Sequence, residues 1–331
     1  FGPFLHWTGL AGQEHSWLLV RPGQKPVLWL YQPVDFWHAN PVMAEEPWLE
    51  VVDVRSRQQA GAPELDSPGR LAIIGDPLVL EGVPGVHNPA ALVAAVEETR
   101  VHKTPYEIEC LAHANRIALA GHRAAREAFL AGDSEFGISL AYQQATGQRE
   151  VEAPYHSIIG LNEHAGPLHY QYYDLQPPRG PRSLLIDAGV RYRGYCSDIT
   201  RTTAGPDEPR FTALVHGLEK LQLRLCEMVS PGVDYVDIHR KAHLGIAALL
   251  SASGLVSGLA DEAMVEQGIA RAFFPHGMGH FLGIQVHDVA GKPTPSPEDA
   301  PFLRLTRTLE AGMVVTIEPG LYLFHRCWSL C

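Results

Sequence analysis

Two aspartates, Asp187 and Asp198, come close together if the residues between them form a β-hairpin. An apolar run over 184–186 leads into Asp187, and residues 195–200 have the pattern of a return strand. A turn over residues 191–194, which Gly194 can close, would place Asp187 opposite Asp198. Their Cβ atoms would then lie about 5 Å apart, where two carboxylates repel each other unless a positive charge lies between them. The pairing therefore predicts a divalent cation.

A second group of candidate ligands lies downstream. His276 and His280 flank two glycines, and His287 follows seven residues later. Pro275 and the glycines argue against a helix, so a loop or an irregular strand is expected here. Residues 313–317 have the pattern of a buried strand that ends at Glu318, just before a Pro-Gly turn.

Each of these signals is weak alone, because a lone aspartate is usually a cap and a lone buried histidine is usually hydrogen-bonded core. Taken together, they would bury several polar groups at strand ends without partners, which is costly. A shared metal site explains all of them, and the pattern favours a two-metal hydrolase.

Three strings carry a resemblance to a known family: IDAGVRYRGYCSDITRTT, FFPHGMGHFLGIQVHDVAG and GMVVTIEPGLY. They resemble the pita-bread metallopeptidases and, within them, the bacterial Xaa-Pro dipeptidases (prolidases). Methionine aminopeptidases share the metal site but lack such an N-terminal domain. The resemblance implies an α+β pita-bread catalytic domain preceded by a smaller α/β domain, and a homodimer.

The resemblance also implies a set of metal ligands. Asp187 would bind one metal, Asp198 would bridge both, and His280 and Glu318 would bind the second, with Glu318 also accepting a proton from the attacking water. Mostly carboxylate ligands suit two hard cations such as Mn²⁺, which about 3.5–4 Å apart can share a deprotonated water. The bridging hydroxide would attack the amide carbon before proline in an Xaa-Pro dipeptide.

Three histidines receive a substrate role from the same resemblance. His169, His276 and His287 would hold the dipeptide and steady the tetrahedral intermediate, His276 and His287 acting as catalytic residues.

The pattern of elements predicts two domains. Strand-like runs at 17–21, 27–31, 49–54 and 71–74 and a helix over 90–98 indicate an α/β domain over 1–103. Thr104 caps and Pro105 begins a helix that runs to about 131, within a catalytic domain over 104–331. Two further helices are predicted over 209–229 and 235–253.

Both ends of the chain depart from the resemblance. Family members carry a second bridging glutamate in a later strand, whereas residues 323–331 have no counterpart in them and suggest a frameshift. The start also looks incomplete, so the expectation is a weak or inactive enzyme. A small zinc site of His325, Cys327 and Cys331 is the other interpretation of this segment, but it has too few ligands.

Composition excludes several classes. In 331 residues, 46% are hydrophobic and 19% are charged, enough for two cores. No apolar run approaches the roughly 20 residues that span a bilayer, a net charge of −11 disfavours nucleic acid, and five scattered cysteines do not form a disulfide framework. A cytoplasmic location is the default. The alternatives are a non-catalytic pita-bread protein that binds peptides or partners and, more remotely, a metal-free creatinase-like hydrolase.

Overall fold

The computed structural model describes residues 2–37, 40, 47–64 and 71–323. The chain divides into two compact units, Phe1–Thr99 and Arg100–Cys331. The domain limits expected from the sequence, 1–103 and 104–331, stay a prediction. The divergent segment 323–331, with the three residues of the alternative zinc site, lies outside the described residues except for Leu323.

The first unit is a small α/β unit. Its helices and strands are α1 (Gly2–Thr8), β1 (Trp17–Leu19), β2 (Val27–Tyr31), β3 (Asp53–Arg57), β4 (Ala72–Ile73), α2 (Pro77–Leu80), β5 (Val86–His87) and α3 (Ala90–Glu98), with a 3₁₀ turn at Pro47–Val51. Strand β2 lies between β1, which is antiparallel to it, and β3, which is parallel. The strand predicted over 49–54 is wrong in position, because the 3₁₀ turn occupies its first half.

The second unit holds the site. Its helices are α4 (Pro105–Leu130), α5 (Glu135–Thr146), α6 (Pro209–Glu227), α7 (Tyr235–Ala252), α8 (Asp261–Glu266) and α9 (Ile269–Phe273). Its strands are β6 (Ile158–Leu161), β7 (Ser183–Ala188), β8 (Arg191–Tyr192), β9 (Tyr195–Cys196) and β10 (Ile199–Ala204). Strand β7 is central and pairs antiparallel with both β6 and β10. Helices α4 and α5 cover this sheet with a continuous apolar core.

Helix α4 begins where the sequence predicts. The Thr104 hydroxyl accepts the N–H of Glu107 at 3.3 Å, and the Glu107 carboxylate accepts the N–H of Thr104 at 2.7 Å. This reciprocal capping box satisfies two backbone donors at the helix start. Over residues 108–130 the small residues Ala114, Ala118 and Gly121 are buried in the core, whereas not every apolar side chain of the helix is buried. The small residues allow α5 to approach closely, since a Cβ at Gly121 would lie 2.6 Å from Tyr142.

The hairpin that carries the two aspartates forms with a different register from the predicted one. Its turn has two central residues, Arg193 and Gly194, both with positive φ, instead of four. Asp187 consequently lies opposite Thr200, and the predicted pairing of Asp187 with Asp198 is wrong. Because a register shift of two residues keeps every side chain on its face, the two aspartates remain diagonal neighbours.

Two irregular extended segments deliver the remaining ligands. Residues 276–282 are not helical, as expected, and they run beside 314–318. The second segment was predicted as a strand, but it forms a single bridge, Phe281 to Val315, with further hydrogen bonds on either side. One of these joins the N–H of Glu318 to the carbonyl of Met278 at 2.8 Å. This pairing places Glu318 beside His280.

A buried cluster of Arg100, Lys103 and Asp288 packs against the segment that carries His280. The Asp288 carboxylate accepts hydrogen bonds from Arg100 and, at 3.0 Å, from Lys103, and all three side chains are about 1% exposed. Asp288 also donates its backbone N–H to the carbonyl of Phe281 at 3.0 Å. The cluster therefore fixes the backbone between His280 and His287.

Candidate metal centre

Asp187 and Asp198 meet at a tyrosine hydroxyl. Tyr155 Oη donates to Asp187 Oδ1 at 2.7 Å and to Asp198 Oδ1 at 2.9 Å. A hydroxyl has one proton to give, so the two carboxylates share it, and they lie close enough to repel each other. Burial and the repulsion from Asp198 raise the pKa of Asp187 to about 7.

The second half of the centre lies on the other side of Asp198. His280 Nε2 is 3.2 Å from Asp198 Oδ2 and 3.1 Å from Glu318 Oε1. Asp198, His280 and Glu318 thus offer three ligand atoms within 4.8 Å of one another. Asp198 uses one oxygen toward Tyr155 and the other toward His280, so it joins the two halves.

The hydrogen bonding of His280 prepares Nε2 to act as a ligand. Its Nδ1 lies 2.8 Å from the carbonyl of Phe281 and donates to it, which leaves the lone pair of Nε2 facing the two carboxylates. Lone pairs that converge in a buried site require a proton or a cation between them. Burial lowers the pKa of His280, but the neighbouring Asp198 and Glu318 carboxylates outweigh this effect and raise the pKa to about 10.

Glu318 supplies an observation that favours a cation over a proton alone. Its Oε1 is buried and makes no hydrogen bond of good geometry among the described residues, although it lies near His280 Nε2. The side chain as a whole is 36% exposed. Three carboxylates and one imidazole nitrogen form a donor set that suits a hard divalent ion.

His276 and His287 lie beside this cluster. The His287 ring is 4.4 Å from the His280 ring, centre to centre, and His276 Nε2 is 3.1 Å from Tyr322 Oη. Burial lowers the pKa of His276, and burial with the nearby His280 lowers the pKa of His287. Both rings are therefore neutral near pH 7 and can donate or accept a hydrogen bond.

His169 lies apart from the four candidate ligands. It is exposed, and no hydrogen bond, ion pair or ring contact joins it to the four candidate ligands among the described residues. Tyr155 and Tyr322, by contrast, were not predicted from the sequence. Tyr155 lies 32 residues before Asp187, and no local pattern distinguishes it from a core tyrosine.

Comparison with known proteins identifies the family. Residues 109–329 match metallopeptidase family M24, and residues 1–97 match the Xaa-Pro dipeptidase N-terminal domain. An Xaa-Pro dipeptidase of Marinobacter nauticus is 96% identical over 322 residues, which cover 97% of this chain and 75% of that protein. The chain belongs to metallopeptidase family M24, among its Xaa-Pro dipeptidases.

More distant relatives support the same family and fold. An Xaa-Pro dipeptidase of Xanthomonas campestris is 44% identical over 329 residues, which cover 96% of this chain and 74% of that protein. The low-pH form of Escherichia coli aminopeptidase P has a TM-score of 0.76 at 22% identity, covering 98% of this chain and 78% of that one. The predicted α+β pita-bread fold with a preceding α/β domain is confirmed.

A zinc-substituted structure of the same aminopeptidase P, in complex with product, has a TM-score of 0.60 at 29% identity. It covers 72% of this chain, and the chain spans 52% of it. The M24 assignment implies divalent metal ions.

No helix among the described residues has the length and apolarity to cross a membrane.

Metal binding to this M24 chain is expected to release protons. An ion that enters the cluster displaces the His280 proton, held with a pKa of about 10, and the fraction on Asp187, held with a pKa of about 7. Without metal, the folded chain holds the protons of Asp187 and His280 more tightly than the unfolded chain does. The stability that these two protons contribute to the metal-free fold therefore falls as the pH rises from about 4 to 10. Metal affinity has the opposite slope, and log K for Mn²⁺ should rise by about one to two per pH unit near pH 7.

Isothermal titration with Mn²⁺ between pH 6 and 8, in two buffers of different ionisation enthalpy, measures both the affinity and the number of protons released. An affinity that does not change over this range contradicts the assignment of His280 as a ligand.

Proposed function

We propose that this chain hydrolyses Xaa-Pro dipeptides with two divalent metal ions, Mn²⁺ in the native protein. The observation that carries the proposal is the convergence of Asp198, His280 and Glu318, joined to Asp187 through Tyr155. Asp187 would hold one ion, Asp198 both, and His280 and Glu318 the other. When bound, the ions supply an activated water and a positive charge for the scissile carbonyl oxygen.

The chain's own residues have distinct tasks in this proposal. The Glu318 side chain is 36% exposed, so it can take the proton of the attacking water while its buried oxygen faces His280. Neutral His276 and His287 can hold the substrate carboxylate and the developing oxyanion by hydrogen bonds. His276 is itself oriented by the carbonyl of Gly277, 2.8 Å from its Nδ1.

The exposed His169 is assigned to the substrate rather than to a metal. An imidazole on the surface of a loop can reach a ligand that arrives from solvent, which fits the substrate role that the resemblance implies. The homodimer and the cytoplasmic location also stay predictions.

The test is release of free proline from Ala-Pro by the purified chain, supplied with Mn²⁺ and measured by colorimetric or chromatographic assay. Hydrolysis that depends on Mn²⁺ and disappears with a chelator supports the proposal. Mass-spectrometric metal analysis is expected to give two ions per chain. If the unmodified chain releases no more proline than the Asp198→Asn variant, the dipeptidase assignment is wrong.

The alternative of a non-catalytic binding protein has no observation in its favour. A pita-bread domain that had lost catalysis would have no use for partly buried carboxylates that converge on one another, because their desolvation and mutual repulsion cost free energy. This chain keeps three of them around His280 and Tyr155.

A further inference from the structure

A second cluster of potential metal ligands lies apart from the proposed centre. Glu135, His164 and Asp174 offer one ligand atom each within 4.8 Å of one another. Glu135 is the first residue of α5 and is 1% exposed. A buried carboxylate at this place needs partners, and the identity of those partners decides what the cluster does.

Protein donors already occupy both oxygens of Glu135. Oε1 accepts the N–H of Leu161 at 2.8 Å and lies 2.8 Å from His164 Nδ1, which donates to it. Oε2 accepts Tyr170 Oη at 2.8 Å and the N–H of Asp174 at 2.8 Å. A carboxylate has roughly four acceptor positions, so no lone pair remains for an ion. The helix N-terminus further stabilises the negative charge. The cluster is a hydrogen-bonded clasp and not a metal site.

The clasp holds the loop that carries His169. His164 and Tyr170 lie on either side of His169 in the chain, and their rings stack at 4.5 Å with planes 23° apart. Asp174, at the far end of the loop, is also tied to α5 through the N–H of Phe136, which donates to its carbonyl at 3.2 Å. Glu135 thus contacts the loop before, immediately after and beyond His169.

We propose that Glu135 is a positioning residue that sets the place of His169 for substrate binding. This inference rests on the proposed function, because it takes the Xaa-Pro dipeptide as the ligand of His169. Ordering a loop of about a dozen residues costs conformational entropy, and the three hydrogen bonds from this loop to one buried charge can offset that cost before substrate arrives.

Glu135→Gln is the informative substitution. It keeps the shape of the side chain but replaces one acceptor oxygen with an amide group that faces two donors. The expected result is a rise in KM for Ala-Pro of about tenfold, with kcat changed less, because each lost charge-assisted bond weakens the preset loop. The number of bound Mn²⁺ ions should not change, since the clasp shares no residue with the proposed metal centre.

Glu163→Gln is the matched control. Glu163 lies in the same loop, is 74% exposed at its side chain and pairs with Arg182, itself 61% exposed. Its KM is expected to stay within about twofold of wild type, because exposed ion pairs contribute little. Tyr170→Phe removes one donor from the clasp and serves if Glu135→Gln does not fold.

A double-mutant cycle separates positioning from general stability. If Glu135 acts through His169, then Glu135→Gln should raise KM about tenfold in the wild type and by less than about twofold in His169→Ala. Equal effects in both backgrounds overturn the proposal. Amide hydrogen exchange over residues 162–174 should become faster in Glu135→Gln and not in Glu163→Gln. Unchanged exchange overturns the proposal even if the chain shows no hydrolysis, so a failure of the dipeptidase assignment is recognised separately.

Discussion

Asp198→Asn should lower kcat/KM for Ala-Pro by at least about 1000-fold and reduce the bound metal below two ions per chain, because it removes the carboxylate proposed to bridge both ions. Asp198 is the residue whose two oxygens face the two halves of the centre, one toward Tyr155 and one toward His280. Asparagine has the same shape but only one acceptor oxygen, which is neutral, and its NH₂ group cannot bind a cation. Steady-state kinetics with saturating Mn²⁺ and metal analysis on the same preparation measure both effects.

Two comparisons sharpen this test. Asp207→Asn changes an exposed aspartate shortly after β10 and should leave both quantities unchanged. Tyr155→Phe removes the shared hydroxyl but no ligand, so it should weaken Mn²⁺ binding by about 10–100-fold and leave the activity recoverable at high metal concentration. Activity of Asp198→Asn within tenfold of wild type contradicts the bridging role.

Asp288→Asn should destabilise the folded chain by about 3–5 kcal/mol, since it leaves Arg100 and Lys103 buried without their counter-charge. The cluster already carries two cations for one carboxylate, and Arg100 Nε and Nη1 are buried without a hydrogen-bond partner among the described residues. Removing the single negative charge is therefore worse than removing one positive charge. The midpoint and slope of guanidinium-induced unfolding, followed by circular dichroism, measure the change.

Lys103→Met and Asp237→Asn are the matched variants. Lys103→Met leaves a charge-balanced Arg100–Asp288 pair, so its cost should be clearly smaller than that of Asp288→Asn. Asp237 pairs with Arg240 on the surface, with 65% and 55% of the side chains exposed, and its substitution should cost less than about 1 kcal/mol. If Asp288→Asn costs no more than Asp237→Asn, the cluster does not stabilise the segment between His280 and His287.

Local patterns in the sequence predicted the start of α4, the absence of a helix over 276–280 and the hairpin before Asp198. Capping chemistry, proline and glycine act over a few residues, so a reader of the sequence can apply them directly. The register of the hairpin could not be predicted from such local patterns. A two-residue turn at Arg193 and Gly194 requires positive φ at both positions, and arginine does not signal that conformation.

The long-range partners were not predictable from local patterns. Tyr155, which joins the two aspartates, and Glu135, which holds the loop of His169, lie tens of residues from the groups that they contact. In the sequence each has the same appearance as an ordinary core tyrosine or a surface glutamate in the first turn of a helix. Their roles depend on which side chains the packed sheet and helices bring beside them.

The sequence by itself determined which chemical groups this M24 chain can offer, three carboxylates and several imidazoles at the ends of apolar segments, because side-chain chemistry and alternation are local properties. Only the tertiary structure decided how those groups meet: Asp187 diagonal to Asp198, His280 between two carboxylates, and the Glu135 oxygens filled by four donors. Distances between residues far apart in sequence follow from the packing of the whole core, which no short stretch of residues encodes.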